Sequence, residues 1–331
     1  MSDTIVVIGA TGAMGRPVVS HLLGDPERRW SVRAFTRDPS SPEARALAAL
    51  GGGRVELARG DLDDPAALQA AFRGARGVFC NTNFFTAFGV QREYEQGVRA
   101  LEAAREAGVE HFVYSSLDAA SALTGGRLPV PHYDAKAAVE HFIALRRSDE
   151  FMRQDPQGWY SRSVSVLVTG PYYENFQSFF LPRRERLSDG REGLVFYLAS
   201  GGRPYPMVAL DDIAHFARLM FRDRAAWGGR TLAILGEAIT IAEAAATFER
   251  VTGIAAEWRD VPLAAVREGA PGVGHDLANM FAFFQEGGVV RDLAALRRLH
   301  PGLLTFEGWL RKTGWRGESA RVQKNAPAGP G

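Results

Sequence analysis

Residues 5–15 read IVVIGATGAMG, a run of apolar residues followed by three regularly spaced glycines. Its first four residues are apolar and mostly β-branched, which predicts a buried parallel strand over 5–8. Three glycines follow at a spacing of three, Gly9, Gly12 and Gly15, and residues 16–23 then carry a helical pattern. The chain therefore opens with a strand, a glycine turn and a helix.

A glycine turn in this setting is typical of dinucleotide binding. Gly9 allows the tight turn, Gly12 lets the backbone approach a pyrophosphate, and Gly15 lets the helix pack against the strand. The N–H groups of the first helical turn can then hold the phosphates. The alternative is a glycine-rich turn that binds nothing, but the strand before it and the helix after it favour a dinucleotide.

Size and composition bound the remaining possibilities. The chain has 331 residues, of which 46% are hydrophobic and 23% charged, and its net charge is +1. This length predicts one large or two unequal domains, and the lack of a basic block argues against a nucleic-acid partner. The sequence suggests no metal-ligand cluster.

Cysteine usage and hydropathy indicate the compartment. Cys80 is the only cysteine, which excludes an intramolecular disulfide and suits a reducing environment. We interpret it as a buried filler rather than a redox switch. The sequence shows neither a signal peptide nor an apolar run of membrane-spanning length, so we expect a cytoplasmic protein that does not bind membranes.

Arg37 bears on the choice of cofactor. The predicted second strand, 30–36, ends where a protein that prefers NAD would offer an acidic residue to the ribose 2′-hydroxyl. Thr36 and Arg37 stand there instead. A planar guanidinium suits the 2′-phosphate of NADP, which it can bind through two parallel hydrogen bonds. Asp38 could instead pair with Arg37, or it could accept a hydrogen bond from the ribose of NAD. Arg37 could also be a solvated surface residue. We favour NADP(H) over NAD(H).

Two further loops follow predicted strands. Asp61 could accept a hydrogen bond from the amino group of adenine. Asp63 or Asp64 could cap the next helix. Residues 82–88 contain three phenylalanines and follow the fourth strand. They could form an apolar lip over the nicotinamide or a substrate, since ligands bind at this edge of open α/β sheets, or they could pack into the core.

The glycine spacing resembles the extended and atypical branches of the short-chain dehydrogenase/reductase superfamily. Ser115 and Ser116 close the fifth strand, where that superfamily has a serine that polarises the substrate carbonyl. Its Tyr-x-x-x-Lys pair is changed here, because His132 stands four residues before Lys136 and Tyr133 only three before it. Tyr133 is therefore rotated by about 100° from His132 around the helix. His132 could act as the acid or be a packing residue.

The chain as a whole resembles the NmrA-like family of atypical short-chain dehydrogenases that bind NADP, and in particular its NADPH-sensing branch. The likeness covers nearly the whole chain, from Gly9 to about Trp315. It is carried by residues 9–15, 37, 60–61, 82–83, 123–128, 132–136, 172–175 and 276–281.

We take Ser116, His132 and Lys136 as the candidate catalytic residues, because they stand at the serine and the altered Tyr-x-x-x-Lys positions of the superfamily. The resemblance implies a larger set of residues that contact NADP(H). For the cofactor it implies Gly9, Thr11, Gly12, Ala13, Met14, Gly15, Arg37, Asp61, Leu62, Thr82, Asn83, Phe84, Lys136, Tyr172, Tyr173, Glu174 and Asn175.

Two kinds of protein are known in this family, namely regulators that read the NADPH/NADP ratio and bind other proteins, and reductases of quinones or aromatic substrates. The altered Tyr-x-x-x-Lys motif favours a regulator with little or no turnover. The retained Lys136 keeps open an NADPH-dependent reductase of a quinone, an enone or another small apolar substrate. Glu95, at a position where the sensing branch tends to have lysine, and the insert at 149–162 depart from that branch. Self-association remains open.

The order of elements predicts an α/β fold, a Rossmann-type doubly wound parallel sheet with a smaller, mostly helical C-terminal cap. We expect an NADP-binding domain over 1–170, with a strand near 231–235 completing its sheet. A cap for substrate or effector follows over 171–316, and 317–331 is expected to be a disordered tail. In the cap we predict an apolar helix starting at Phe176, and helices over 240–251, 264–284 and 289–299. Met280, Phe281, Phe283 and Phe284 could line a ligand cleft there or form the core.

Overall fold

The computed structural model describes residues 3–87 and 89–320. Strands and helices alternate through the first half of the chain, as the sequence predicts. The strands are β1 (Thr4–Ile8), β2 (Ser31–Thr36), β3 (Val55–Arg59), β4 (Gly77–Cys80), β5 (His111–Ser116), β6 (Val164–Val168), β7 (Arg183–Arg186), β8 (Glu192–Leu198), β9 (Tyr205–Met207), β10 (Thr231–Ala233), β11 (Glu237–Ile239) and β12 (Ala256–Asp260).

The two longest α-helices span Val90–Glu106 and Pro131–Met152, and the others are shorter. One 3₁₀ helix spans Tyr173–Gln177. The α-helices are α1 (Gly15–Leu23), α2 (Pro42–Leu50), α3 (Pro65–Phe72), α4 (Phe84–Ala87), α5 (Val90–Glu106), α6 (Ala120–Leu123), α7 (Pro131–Met152), α8 (Trp159–Ser163), α9 (Leu210–Arg222), α10 (Arg224–Trp227), α11 (Ile241–Thr252), α12 (Leu263–Gly269), α13 (Gly274–Gln285), α14 (Leu293–Leu299) and α15 (Phe306–Thr313).

The chain divides into two compact units that are interleaved in sequence. The expected boundary near residue 170 is one of several, so a single cut does not separate them. The first unit comprises the described residues up to Leu117, Ala135–Thr169 and Ile213–Ala233, and the second comprises Asp118–Asp134, Gly170–Asp212 and the described residues from Ile234 onward.

The first unit is built on a seven-stranded sheet in the order β10-β6-β5-β4-β1-β2-β3. Every neighbouring pair is parallel, and β10 completes the sheet beside β6, where the sequence places a strand. All four residues of 5–8 are at most 2% exposed, because both faces of the sheet are covered. The predicted α/β, Rossmann-type fold is confirmed.

Cys80 ends β4 inside this sheet and is fully buried, as predicted. Burial raises the pKa of its thiol to about 12. A thiol that stays protonated is a poor nucleophile, which fits a packing residue.

In the second unit, α11 and α14 lie where helices were expected over 240–251 and 289–299, and the unit also has two small sheets that were not predicted. One sheet has the order β12-β8-β7, and the other pairs β11 with β9. Thr240 caps α11 with a reciprocal capping box to Glu243, as predicted for the start of that helix. Of the predicted tail, 317–320 form no helix or strand and 321–331 lie outside the described residues.

Two helix predictions in this unit were wrong. The apolar helix expected from Phe176 is instead a short 3₁₀ helix, Tyr173–Gln177, followed by a turn, and Pro182 would keep any helix here from running past the residue before it. The helix expected over 264–284 is broken into α12 and α13, since Pro271 and Gly272 stand between them and Gly272 has a φ of +80°.

Among the described helices, none is long and apolar enough to cross a membrane.

His111 is a buried titratable group at the start of β5. Its Nε2 lies 2.7 Å from the hydroxyl of Ser165, which itself donates to the carbonyl of Trp227. Burial, together with the charges of Arg224 and Arg76, lowers the pKa of His111 to about 3. The folded chain therefore keeps this imidazole neutral.

We predict that His111 makes the fold lose stability as the pH falls. The unfolded chain gains a proton near the ordinary pKa of 6.5 and the folded chain only near 3, so the stability present above 6.5 is lost progressively below it. His111→Gln keeps a donor for Ser165 but does not titrate. Between about pH 7.5 and about pH 5, urea unfolding should show a loss that is about 2 kcal/mol smaller in the variant. An equal loss in both proteins would contradict this assignment.

Candidate functional site

The glycine turn after β1 is held by close backbone contacts. Gly9 has a φ of +73°, a conformation that favours glycine, and its carbonyl accepts a hydrogen bond from the Gly12 N–H at 2.9 Å. A Cβ at residue 15 would lie 2.2 Å from the Gly9 oxygen, whereas one at residue 12 would lie 3.1 Å from it. Gly15 is thus required for α1 to pack on the turn, and Gly12 is less constrained by the fold.

Backbone donors are available at this turn. Among the described residues, no group accepts a hydrogen bond from the N–H of Ala13, Met14 or Gly15. These groups stand at the start of α1, where the helix dipole adds partial positive charge. Partly exposed Thr11 and Gly12 precede them. The cradle suits an anionic group such as a pyrophosphate.

Arg37 stands just beyond β2, next to the glycine turn. The register pairs Ile8 of β1 with Phe35 of β2, so both strands end at the same edge of the sheet. Arg37 is exposed, and no described residue forms an ion pair or hydrogen bond with its guanidinium. The Asp38 carboxylate accepts instead from Ser40, through its backbone N–H at 2.9 Å and its hydroxyl.

The three carboxylates of the loop after β3 have different hydrogen-bond and ion-pair partners. Asp64 caps α3 through the N–H groups of Ala66 and Ala67, so the capping expected of Asp63 or Asp64 falls to Asp64. Asp63 pairs with arginines of α5 instead. Asp61 accepts from the Asp63 N–H at 3.0 Å and, like Leu62, is partly exposed at the end of the strand.

The loop after β4 is partly helical. Asn83 Oδ1 accepts from the Thr86 N–H, and α4 brings Phe84 and Phe85 edge to face with their ring centroids 5.6 Å apart. Both rings are partly exposed, while Thr82 is buried. The third phenylalanine of this loop, Phe88, lies outside the described residues.

Lys136 is the centre of a buried polar cluster in the first unit. Its Nζ lies 2.7 Å from the Thr82 carbonyl, 2.9 Å from the Thr82 hydroxyl, 3.3 Å from Asn81 Oδ1 and 3.0 Å from Glu93 Oε1. Glu93 is fully buried in α5, and its Oε1 also accepts from the Thr82 hydroxyl at 2.7 Å. The ammonium is therefore hydrogen-bonded and its charge is compensated within the protein.

The sequence analysis missed Glu93. A signal was present, because Glu93 stands at helical spacing before residues that α5 buries, so that a charged residue continues a buried face. Those residues are Gln96, Gly97, Ala100, Leu101 and Ala104. Glu95, by contrast, is exposed and accepts from Gln91.

The two serines that end β5 are buried. The Ser115 hydroxyl donates to the sulfur of Met14 at 3.2 Å, which ties β5 to the glycine turn. The Ser116 hydroxyl donates to the Leu117 carbonyl at 3.3 Å. Both hydroxyls thus have protein acceptors in this structure.

His132 lies in the second unit, where α7 begins. Its Nδ1 is 2.6 Å from Asp276 Oδ2 of α13, and both residues are buried. A carboxylate on Nδ1 fixes the orientation of an imidazole, which is how general acid–base histidines are held. Asp276 lies in a segment that carried the family resemblance, but its pairing with His132 was not predicted.

Tyr133 and the aromatic residues of α13 form a packed cluster in the second unit. The Tyr133 ring lies 6.4 Å from that of Phe283 and 6.0 Å from that of Phe284, and burial holds its pKa well above the ordinary value. Met280, Phe281, Phe283 and Phe284 are each at most 5% exposed. In this unit they belong to the core.

The segment 172–175 is also part of the second unit. Tyr172 forms a backbone bridge with Val208, and Tyr173 is buried. Glu174 accepts from the indole N–H of Trp309 at 2.9 Å, and burial raises its pKa to about 7. The Asn175 carbonyl oxygen of the side chain is buried and has no hydrogen-bond partner among the described residues.

The predicted site residues are thus divided between the units. The first unit contains the glycine turn, Arg37, Asp61, residues 82–84, Ser116 and Lys136, and the second contains His132 and residues 172–175. The described residues contain no group of three or more acidic, histidine or cysteine side chains able to hold a metal ion.

A model of the NmrA-like family matches residues 1–310. The chain belongs to the NmrA-like family. A relative from Aspergillus hancockii, the NmrA-like family domain-containing oxidoreductase hkm9, is 30% identical over 262 residues, which cover 77% of this chain and 74% of the relative.

Solved structures of NmrA-like proteins share the fold. The negative transcriptional regulator NmrA in complex with NADP has a TM-score of 0.71 and 22% identity, covering 94% of this chain and 95% of that one. The NADPH-dependent quinone oxidoreductase QOR2 of Escherichia coli, complexed with NADPH, has a TM-score of 0.70 and 23% identity, covering 94% and 100%. At these identities the likeness establishes the architecture.

We predict different stability costs for the two neighbouring glycines. Gly15→Ala should lower the free energy of unfolding by about 1–3 kcal/mol, because the new Cβ would overlap the Gly9 carbonyl. Gly12→Ala is the matched control and should cost less, since its Cβ meets the same oxygen at 3.1 Å. Urea unfolding of both variants measures the difference. Equal costs would mean that the turn relaxes to accept a side chain at residue 15.

Proposed function

We propose that this chain binds NADP(H) through its first unit and reads the redox state of the dinucleotide with little turnover. The observation that carries this proposal is the Lys136 cluster, in which a fully buried Glu93 compensates the charge of the lysine. The cluster lies in the same unit as a glycine turn with donors to spare.

Three features support binding. The N–H groups of Ala13, Met14 and Gly15 suit a pyrophosphate. The guanidinium of Arg37 has no ion-pair or hydrogen-bond partner among the described residues, and it suits the 2′-phosphate that distinguishes NADP from NAD. Lys136 is assigned to the nicotinamide ribose. NmrA, which has this fold, is known in complexes with NAD and with NADP.

Low turnover follows from the charges around Lys136. In a reductase of this type the lysine cation lowers the pKa of a nearby acid. Here Glu93 cancels much of that field at 3.0 Å, and Tyr133 is packed among phenylalanines rather than available as the acid. A bound dinucleotide would then act as a ligand that reports the redox state to a protein partner.

The second candidate is an NADPH-dependent reductase of a quinone, an enone or another small apolar acceptor. When bound, NADPH supplies a hydride. The pair of His132 and Asp276 favours this candidate, because the carboxylate orients an imidazole one helical turn before Lys136 in α7. The oxidoreductase name of the Aspergillus hancockii relative also favours it.

Removal of the Arg37 side chain should test the cofactor preference. A charge-assisted bond to phosphate contributes on the order of 1.5–3 kcal/mol, so Arg37→Ala should weaken NADPH binding by roughly tenfold or more and leave NADH binding nearly unchanged. Arg73→Ala, which removes another exposed arginine of the first unit, is the matched control. Calorimetric titration measures all three proteins. Equal affinity of the wild-type chain for NADPH and NADH would defeat the preference.

Turnover separates the two candidates. With NADPH and a panel of quinones, enones and aldehydes, we expect no acceptor to be reduced at a useful rate, and His132→Ala to leave NADPH affinity intact. If an acceptor is reduced, and if His132→Ala lowers the rate by ~10²–10⁴ while Tyr133→Phe does not, the chain is a reductase with His132 as its acid. Asp276→Asn should then lower the rate too, through the orientation of His132.

A further inference from the structure

We propose that Glu93 sets the relative affinity of this chain for the oxidised and the reduced dinucleotide, by compensating the buried charge of Lys136. The inference rests on the proposed binding of NADP(H) in the first unit. It assigns Glu93 the role of a positioning and specificity-determining residue that acts through Lys136.

Three elements of the first unit build the cluster. Thr82 follows β4, Glu93 is in α5 and Lys136 is in α7. The Thr82 hydroxyl accepts from Lys136 Nζ at 2.9 Å and donates to Glu93 Oε1 at 2.7 Å, while the ammonium also contacts that same carboxylate oxygen at 3.0 Å. The geometry is a closed triangle of hydrogen bonds around one buried ion pair.

Burial makes the charge compensation strong. Glu93 is 0% exposed and Lys136 is 8% exposed. Interactions between charges weaken little where water is excluded, and an uncompensated ion would be costly there. Glu93 therefore compensates the ammonium of Lys136 and removes most of its outward field.

The second carboxylate oxygen of Glu93 indicates that this residue does more than fill space beside Lys136. Glu93 Oε2 is buried and has no hydrogen-bond partner among the described residues. A neutral Gln could fill the same volume without burying a charge, so the carboxylate is retained at a cost in desolvation. What the charge adds, and an amide would not, is a negative field beside Lys136.

The electric field of Lys136 and Glu93 acts differently on the oxidised and the reduced dinucleotide. The nicotinamide ring carries one positive charge when oxidised and none when reduced. An uncompensated lysine at its ribose would repel the oxidised ring and leave the reduced ring unaffected. By cancelling this repulsion, Glu93 lets the chain bind NADP⁺ more nearly as well as NADPH, which is what a reader of their ratio requires.

The test compares affinities for the two forms in Glu93→Gln. The variant keeps an oxygen that can accept from Thr82 and loses the charge. The ratio of the dissociation constants, NADP⁺ over NADPH, should rise about tenfold, as expected for one charge near the ring at protein dielectric. For a two-electron couple this raises the potential of the bound ligand by about 30 mV. Calorimetric titration with each form measures the ratio without any turnover.

Controls separate charge from structure. Glu106→Gln removes an exposed carboxylate from the same helix and should leave the ratio unchanged. The double variant Glu93→Gln with Lys136→Met removes both charges and should restore the wild-type ratio, although both affinities fall. If Glu93→Gln does not fold, Glu93→Asp, which keeps the charge but draws it away from the ammonium, should raise the ratio by a smaller factor.

The outcomes are distinct. A loss of affinity that is equal for both forms, or an unchanged ratio in a folded variant, would overturn the role of Glu93. A wild-type chain that binds neither form would instead overturn the proposed function. A ratio that rises in Glu93→Gln and returns in the double variant supports both.

Discussion

The contact between α1 and the turn at Gly9 is the constraint on which the first unit depends. A side chain at residue 15 would place its Cβ 2.2 Å from the Gly9 carbonyl oxygen, so the helix can approach the central strand β1 only through glycine. This approach leaves the N–H groups of residues 13–15 without acceptors among the described residues. One packing requirement thus shapes the turn after β1, where these N–H groups suit an anion.

The second constraint is electrostatic. A lysine at position 136 is buried and must be compensated, and the chain supplies Glu93 from α5 rather than leaving the ammonium to solvent. Under the proposed function this compensation keeps turnover low, because a lysine that has lost its field activates a neighbouring acid poorly. In contrast, the hydrogen bond between His132 and Asp276 in the second unit favours a role in proton transfer. The ion pair of Lys136 with Glu93 and the hydrogen bond of His132 with Asp276 are the physical basis of the two candidate functions.

The sequence predicted what depends on local pattern. Apolar runs and glycines placed β1 and β2 to within one residue, and the helix expected over 240–251 is α11. It did not predict partners that are distant in the chain, such as Asp276, which lies 144 residues from His132. It also missed β7, whose four residues RRER have no apolar alternation. The apolar spacing at Phe176 indicated a helix, but the structure has only a short 3₁₀ helix there, Tyr173–Gln177. Family resemblance supplied the segments of the candidate site, while contacts gave Glu93 and Asp276 their roles.

Hydrogen exchange at the glycine turn tests whether the first unit holds the dinucleotide on this turn. The amides of Ala13, Met14 and Gly15 have no acceptors among the described residues, so they should exchange fast in the free chain. With saturating NADPH, mass spectrometry of the peptide that covers 9–24 should show slowed exchange at these positions. Binding of NADPH that leaves this peptide unchanged and protects another region would contradict the account.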